Sequence, residues 1–288
     1  MQHGIKPETI KALALDLDGT ALRPDNRLSD RTIRVLRACG DRGIGVIICT
    51  GRSIKAAEPY RLAIGAEGPM VYFNGAEVVD MPGRKVLNTA LLDLEVVDFC
   101  SALARDTKIY FQVYFPGNPA GTAVPTATGE VLMAENQTQE TEMYFNHTGI
   151  QAVIGDLHTA LATPGLQGGI KGMFITDPAM QAVVRPKLLE QFGSRIYMAR
   201  THKTFLEIMN PQASKGQGLK HAMAYRNLTP AEVIAFGDEE NDLPLFSAAG
   251  FSVAPANAKE LVREAADMVI GSNAEDGVAA FLETWFGL

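Results

Sequence analysis

The 288-residue sequence is poor in the features that mark secreted, membrane-spanning or nucleic-acid-binding chains. It has three cysteines, Cys39, Cys49 and Cys100, and no CxxC pair among them. So sparse and odd a set excludes a disulfide framework and reads as small buried apolar residues in a reducing compartment. No apolar run approaches the roughly 20 residues that cross a bilayer. Met1–Glu8 lacks the charged-then-apolar pattern of a signal peptide, so the cytoplasm is the expected compartment. Positive charge is not in excess: the formal net charge is −7 and the pI about 5.3. A broad electrostatic grip on nucleic acid or an anionic membrane is thereby excluded. The five histidines, at 3, 147, 158, 202 and 221, are scattered without ligand spacing. There is no tandem repeat and no low-complexity tract.

What is present is ordinary globular chemistry, 47% hydrophobic and 20% charged, in a chain longer than a usual single domain. Two domains, or one with a large insert, are expected. The apolar run Ala12–Leu17 reads as a buried strand of a parallel sheet. Ser29 is a helix cap before Asp30–Cys39. Gly45–Cys49 is a second strand, Ser53–Ile64 a helix and Met70–Phe73 a third strand. Strand and helix alternating through short links predict a doubly wound α/β sheet. After Asn74-Gly75 the rhythm changes. Glu77–Asp80 and Lys85–Asn88 flank a hairpin turn at Met81-Pro82-Gly83-Arg84. Helices are expected at Leu94–Arg105 and Gln151–Leu161. Strands are expected at Ile109–Phe115, near Val131, at Gly172–Ile175, Arg195–Met198 and Phe205–Met209, with a loop over 116–130. Lys171 reads as the start of a strand. The α/β rhythm returns with a helix Lys215–Tyr225, strands Glu232–Phe236, Phe251–Val253 and Asp267–Ile270, and helices Asp242–Ala249, Ala258–Glu264 and Asp276–Phe286. The expected architecture is an α/β, doubly wound, mostly parallel Rossmann-like core at 1–81 and 212–288, with an α+β domain inserted at 82–211.

Four polar features carry chemistry, three of them where a buried strand ends, the place at which open α/β sheets bind ligands. Asp16 and Asp18 follow the first strand. Thr50-Gly51-Arg52 follow the second. Gly237-Asp238-Glu239-Glu240-Asn241-Asp242 follow a later one, and Lys215 opens a helix. Singly, each has a plain explanation: a solvated turn for Asp16-Leu17-Asp18, a helix cap for Asp238 or Asn241. Together they place carboxylates at one sheet edge, where repulsion must be relieved by protons or a cation. Oxygen ligands of this kind suit Mg2+. A hydroxyl, a lysine and helix-start N–H groups hold phosphate. There is no Gly-Lys-Ser/Thr phosphate loop and no evident Ser-His or Cys-His pair, so a carboxylate is left as the nucleophile, able to form an aspartyl-phosphate. A second aspartate two residues on is placed for acid–base work.

These residues resemble the motifs of the haloacid dehalogenase superfamily of phosphatases, within it the Cof-type branch with a C2B cap. Asp16-Leu17-Asp18-Gly19-Thr20, Thr50-Gly51-Arg52, Lys215 and Gly237–Asp242 are similar to its four motifs. Asn74-Gly75-Ala76, Leu206-Glu207-Ile208 and Glu275-Asp276-Gly277-Val278 agree, while Ala21 stands where the family usually has leucine. The resemblance implies Asp16 as nucleophile and Asp18 as general acid and base. It implies Mg2+ on the Asp16 carboxylate, the Asp18 backbone carbonyl and Asp238. Thr50, Lys215, Asn241 and the Gly51 N–H are implied as phosphoryl ligands, Asp242 as support for the metal's waters and for Lys215, and Arg52 as a group near the substrate or a brace of its loop. The insert becomes a cap that closes over the sheet edge. Tyr114, Asn146, His147 and Tyr197 are its candidate contacts, each with cap core or surface as the simpler reading. The implied activity is a Mg2+-dependent phosphatase of small phosphorylated metabolites, sugar phosphates foremost. A phosphomutase and a non-catalytic binding domain are the alternatives. The expected partner is a phosphorylated small molecule, with no nucleic acid and no membrane, and the chain a monomer or weak homo-oligomer.

Overall fold

The computed structural model describes residues 6–117 and 129–288, the side chains of 200–202 apart. The chain divides into two compact units: 1–53, 57–89 and 214–288 form one, 54–56 and 90–213 the other. In chain order the first unit opens with β1 (Ala12–Leu15), α1 (Asp30–Asp41), β2 (Gly45–Ile48), α2 (Ile54–Ile64), β3 (Gly68–Tyr72), β4 (Glu77–Met81) and β5 (Lys85–Thr89). It resumes with α7 (Lys215–Arg226), β12 (Val233–Phe236), α8 (Leu243–Ala248), β13 (Phe251–Pro255), α9 (Glu260–Ala265), β14 (Met268–Ile270) and α10 (Gly277–Phe286).

A five-stranded parallel sheet of order β14-β13-β12-β1-β2 is its centre. β1 and β12 are buried at every position, as strands covered on both faces must be. Leu219, Met223, Leu245 and Val262 from α7, α8 and α9 pack against Ala12, Ala14, Val233 and Ala235 on one face. On the other, Phe281 of α10 meets Phe236 with ring centroids 5.7 Å apart. α1 packs beside α10 and buries Thr32, Val35, Leu36 and Cys39, the helical spacing of a single stripe. Ser29 caps α1 by accepting the Thr32 N–H at 3.0 Å, a bond worth about 1 kcal/mol.

The third strand departs from expectation. β3 lies beside β2, joined to it by a parallel bridge between Cys49 and Val71 instead of a full ladder, and opens an antiparallel sheet of order β3-β4-β5. Positive φ at Phe73, Asn74 and Gly75 reverses the chain there, so the next strand returns beside β3 instead of crossing over. Residues 85–89, expected in the insert, pair with β4 in this first unit.

The second unit contains α3 (Leu94–Thr107), β6 (Tyr110–Pro116), β7 (Glu130–Ala134), α4 (Gln139–Thr148), β8 (Val153–Ile154), α5 (Leu157–Leu161), β9 (Lys171–Ile175), α6 (Pro178–Phe192), β10 (Tyr197–His202) and β11 (Phe205–Met209). Its sheet runs β10-β11-β9-β6-β7-β8, antiparallel except for the β7–β8 pair. α3, α5 and α6 cover one face, burying Val97, Leu157, Val184 and Leu188 against Phe111, Val113 and Phe174. α4 meets the other face, with Tyr144 and Phe205 rings 5.8 Å apart.

The helix expected over Gln151–Leu161 is interrupted: Gly155 follows a short strand, and Asp156 caps the surviving turn by accepting the Thr159 N–H at 2.6 Å. The expected strand Arg195–Met198 begins at Tyr197 and runs on to His202. Much of the loop expected over 116–130 lies outside the described residues, as do His3 and most of Met1–Glu8. Tyr114 is buried and shares a hydrogen bond with Tyr144, whereas Asn146, His147 and Tyr197 are exposed. Lys171 does start β9, but its ammonium is buried and donates to Glu207 at 2.8 Å. No helix among the described residues is long and apolar enough to cross a membrane.

Candidate active site

The chain leaves β1 and β12 in opposite directions, toward β2 on one side and β13 on the other, so a crevice opens between their carboxyl ends. The register pairs Leu15 with Phe236, which brings Asp16 level with Gly237 and Asp238. The Asp16 N–H donates to the Phe236 carbonyl at 3.1 Å, and the Cys49 N–H to that of Leu15 at 2.9 Å. The first two aspartates and Thr50 therefore start from adjacent strand ends.

A tight turn over Leu17–Ala21 follows β1, closed by the Leu22 N–H on the Leu17 carbonyl at 2.8 Å. Gly19 has φ +75°, and a Cβ there would lie 2.1 Å from Asp238 Oδ2, so only glycine fits. The Thr20 hydroxyl donates to Asp238 Oδ1 at 2.8 Å and stands 3.3 Å from Asp16 Oδ2, joining the two carboxylates. Asn257 Nδ2 donates to the Gly19 carbonyl at 2.7 Å, Asn273 Nδ2 to that of Leu22 at 2.7 Å, and Arg23 grips Asp276 with two bonds of 2.8 and 2.6 Å. The turn is braced along its length.

Lys215 begins α7 beneath a Ser214 cap and is 2% exposed. Its ammonium donates to Asp16 Oδ1 and to Asp242 Oδ1, both at 2.6 Å. Asp242 Oδ2 accepts the backbone N–H of Asp238 at 3.0 Å and of Glu239 at 3.1 Å, so this carboxylate is spent on bracing. Gly216 lets α7 approach closely: a Cβ there would lie 2.1 Å from the Pro244 carbonyl oxygen. Carboxylate oxygens of Asp16, Asp238 and Asp242 all lie within 4.8 Å of one another.

The electrostatics follow from this crowding. Burial pushes the Asp16 carboxyl well above the usual range; Lys215 pulls it down, while Asp242, Asp238 and Asp18 add to the rise. Burial, then Asp242, pushes Asp238 up to about 6. Burial alone would lower Lys215, but Asp16 and Asp242 overcome it and hold the ammonium firmly protonated. One positive charge thus faces three buried acidic groups. Hard oxygen donors short of positive charge are the donor set of a divalent cation, and the residues fit one.

The second motif lies alongside. Thr50 is buried, and its Oγ1 accepts the Arg52 N–H at 3.1 Å. Asn74, at φ +55°, donates its N–H to the Thr50 carbonyl at 2.9 Å and accepts from Asn241 Nδ2 at 3.0 Å. A Cβ on Gly51 would stand 3.0 Å from Asn74 Oδ1. Arg52 is turned to Asp18, which it holds by two hydrogen bonds. The Asp18 carboxylate is therefore outside the triad.

All nine residues singled out from the sequence fall in this one neighbourhood. Sequence reasoning missed the linking role of Thr20, the Asn74–Asn241 bond and the braces Asn257, Asn273 and Arg23. Thr20 and Asn74 stood within recognised motifs, whereas a lone asparagine far along the chain carries no signal.

Residues 13–282 match the family of haloacid dehalogenase-like hydrolases. The chain is 29% identical to a 5-amino-6-(5-phospho-D-ribitylamino)uracil phosphatase of Bacillus subtilis, over 96% of this chain and 97% of that protein. It is 27% identical to a pyridoxal phosphate phosphatase of Escherichia coli, over 95% and 98%. A haloacid dehalogenase-like hydrolase from Bacteroides thetaiotaomicron superposes with a TM-score of 0.84 at 25% identity, over 96% of this chain and 99% of that one. With its parallel sheet, its antiparallel insert and this match along nearly its full length, the chain belongs to the haloacid dehalogenase-like hydrolases of the Cof type and is a phosphoric monoester hydrolase.

Proposed function

We propose that this phosphatase depends on Mg2+ and hydrolyses small phosphorylated metabolites, sugar phosphates foremost, through a phosphorylated Asp16. The observation that carries the reading is the buried cluster in which Lys215 joins Asp16 to Asp242 while Thr20 joins Asp16 to Asp238. The carboxylates of Asp16 and Asp238 and the backbone carbonyl of Asp18 would hold the ion, which when bound neutralises charge on the phosphoryl group.

Asp16 attacks phosphorus, and the bond from phosphorus to the leaving oxygen breaks. That oxygen keeps the electron pair and takes a proton from Asp18. Asp18, now a carboxylate, takes a proton from water as the water oxygen attacks the phosphorus on Asp16. The bond from Asp16 to phosphorus then breaks, releasing inorganic phosphate and restoring the carboxylate. Lys215 pulls Asp16 toward its charged form and orients it for the attack, and Asp242 keeps Lys215 in place. Thr50, the Gly51 N–H and Asn241 hold the phosphoryl oxygens, with Asn74 setting the Asn241 amide. The second unit, residues 90–213, is the proposed cap domain. The free, buried cysteines suit a reducing compartment, and the cytoplasm is the proposed one.

The named relatives act on a phosphorylated ribitylaminouracil and on pyridoxal phosphate, different groups carrying one kind of bond, which supports a small phosphate monoester as substrate. A phosphomutase needs a second phosphate held by arginines in the insert. Arg105 is already ion-paired to Glu135, and Arg195 to Asp93 and Glu95. The test is phosphate release from p-nitrophenyl phosphate and a panel of sugar phosphates, with Mg2+ and with a chelator. Turnover that survives Asp16→Asn, or that ignores the chelator, overturns the corresponding part.

A further inference from the structure

Asp18 follows Asp16 by two residues yet sits in a different environment. Its carboxylate is 49% exposed, and both its oxygens are taken by one guanidinium. Arg52 Nε donates to Oδ2 at 2.8 Å and Nη2 to Oδ1 at 2.6 Å. The guanidinium is itself held from behind: it stands 5.1 Å from the centroid of the Tyr60 ring, and Nη1 meets Tyr60 Oη at 3.4 Å. The Tyr60 hydroxyl donates to the Asn26 carbonyl at 2.9 Å, and the Arg52 backbone N–H to Thr50 Oγ1 at 3.1 Å.

This is unlike an ordinary exposed ion pair, in which two mobile side chains gain little. A planar fork stacked on an aromatic ring meets a carboxylate with both prongs, a geometry lysine cannot reproduce. An arginine reserved for the substrate's phosphate would leave its fork free. Here both prongs are committed to Asp18.

We propose that Arg52 is the positioning residue for Asp18, a two-pronged clamp backed by Tyr60 that aims this carboxyl group at the leaving oxygen. The inference rests on the reading of Asp18 as acid and base. While Asp18 carries its proton, one oxygen is the O–H donor to the leaving group and the other keeps one prong of Arg52. When the proton passes to the leaving oxygen and the bond to phosphorus breaks, the new carboxylate regains both prongs. Through both steps the clamp keeps the carboxyl group in one orientation, so the acid is aimed before the leaving bond breaks. In the second half-reaction the same carboxylate, held in the same orientation, accepts the proton of the attacking water.

The consequence is a bias by leaving group. A sugar phosphate expels a poor leaving group and needs the acid; p-nitrophenyl phosphate expels a good one and needs it little. In Arg52→Ala, single-turnover phosphoenzyme formation from a sugar phosphate should fall about 100-fold, the low end of what a general acid contributes. The burst of p-nitrophenolate from the same variant should change several-fold at most. KM for either substrate should move little. Added guanidinium should restore part of the loss in Arg52→Ala, and Arg52→Lys should stay impaired. Tyr60→Phe, which keeps the ring and loses the hydroxyl, should show a weaker loss with the same bias.

The ratio between the two substrates does not depend on how much of a variant is folded, so partial misfolding does not mask the outcome. Equal losses on both substrates, with KM and the inhibition constant for inorganic phosphate rising together, would make Arg52 a phosphate ligand and overturn the proposal. An Asp16→Asn variant that keeps its activity would instead refute the underlying mechanism.

Discussion

Magnesium binding, proton binding and stability should be linked through Asp238. In the fold its carboxyl holds a proton up to about 6, against an ordinary 3.8, because it is buried and faces Asp242. The folded state therefore binds more protons than the unfolded chain across that window. Metal-free stability must fall as pH rises from about 4 to about 6, and level off above. At about 1.4 kcal/mol per pKa unit the drop is on the order of 3 kcal/mol. A cation needs the carboxylate, so below about pH 6 it has to displace the proton, and its apparent affinity drops about tenfold per pH unit. Asp16, also raised, can only steepen the trend. Take a Mg2+ concentration about 100 times the dissociation constant at neutral pH, which stabilises by about 2.7 kcal/mol. At about pH 5 the same concentration is only about 10 times the constant and stabilises by about 1.4 kcal/mol or less. Thermal melts of chelator-treated protein, titrated with Mg2+ at several pH values, measure both slopes. A magnesium affinity that stays flat across this range, or a slope that Asp238→Asn leaves unchanged, refutes the linkage.

Three further outcomes are expected. Asp16→Asn should lower sugar phosphate turnover about a thousandfold or more in steady-state assays while melting as a folded protein, because Lys215 keeps Asp242. Gly19→Ala should cost about 1–2 kcal/mol from the left-handed backbone alone and more from the approach to Asp238 Oδ2, and it should weaken the Mg2+-induced rise in melting temperature. In the second unit, Lys171→Met strands Glu207, 5% exposed, as a buried charge, and should cost about 3–5 kcal/mol in denaturant unfolding. The double variant Lys171→Met/Glu207→Leu should recover part of that, since the Glu207 charge goes with its partner while the buried Glu130 carboxylate remains nearby.

The first unit was largely legible because its strands are continuously apolar and its polar groups stand at strand ends. The run Ala12–Leu17 gives both the strand and the place of Asp16, since whatever follows a buried parallel strand must emerge at its carboxyl end. The spacing of Val35, Leu36 and Cys39 gives α1. Met70–Phe73 has the same apolar look and is a strand, and the change of rhythm after Asn74-Gly75 is the antiparallel return of β4 and β5; what the apolar run could not tell is that β3 would pair mainly with them. That was decided by the left-handed residues at 73–75. The second unit was harder. α4 buries only Thr141 and Tyr144 and exposes Met143 and Phe145, so it has no stripe to find. α6 carries Pro186 in its interior and buries Gln181 beside Val184, Leu188 and Phe192, a pattern that blurs the helical period. Lys171 read as a strand start because a lysine is ordinarily exposed; its burial depends on Glu207, 36 residues away.

One stretch of five residues shows why two aspartates at i and i+2 need not do the same work. Along a strand they would share a face, but β1 ends at Leu15 and the chain turns at once. Asp16, still in register with β12, is drawn inward to Lys215 and Thr20. Gly19, in a conformation only glycine adopts freely, brings the backbone against Asp238. Asp18, between them, is left facing outward, where Arg52 can reach it from the end of the neighbouring strand. The inner carboxylate is dry and held by an ammonium, suited to a nucleophile that must keep one orientation. The outer one is half exposed and held by a fork, suited to a group that trades protons with a leaving group and then with water. The proposed division of labour between them follows from the turn. A change that straightens it should disable both functions together, whereas a change at Arg52 should touch only the second.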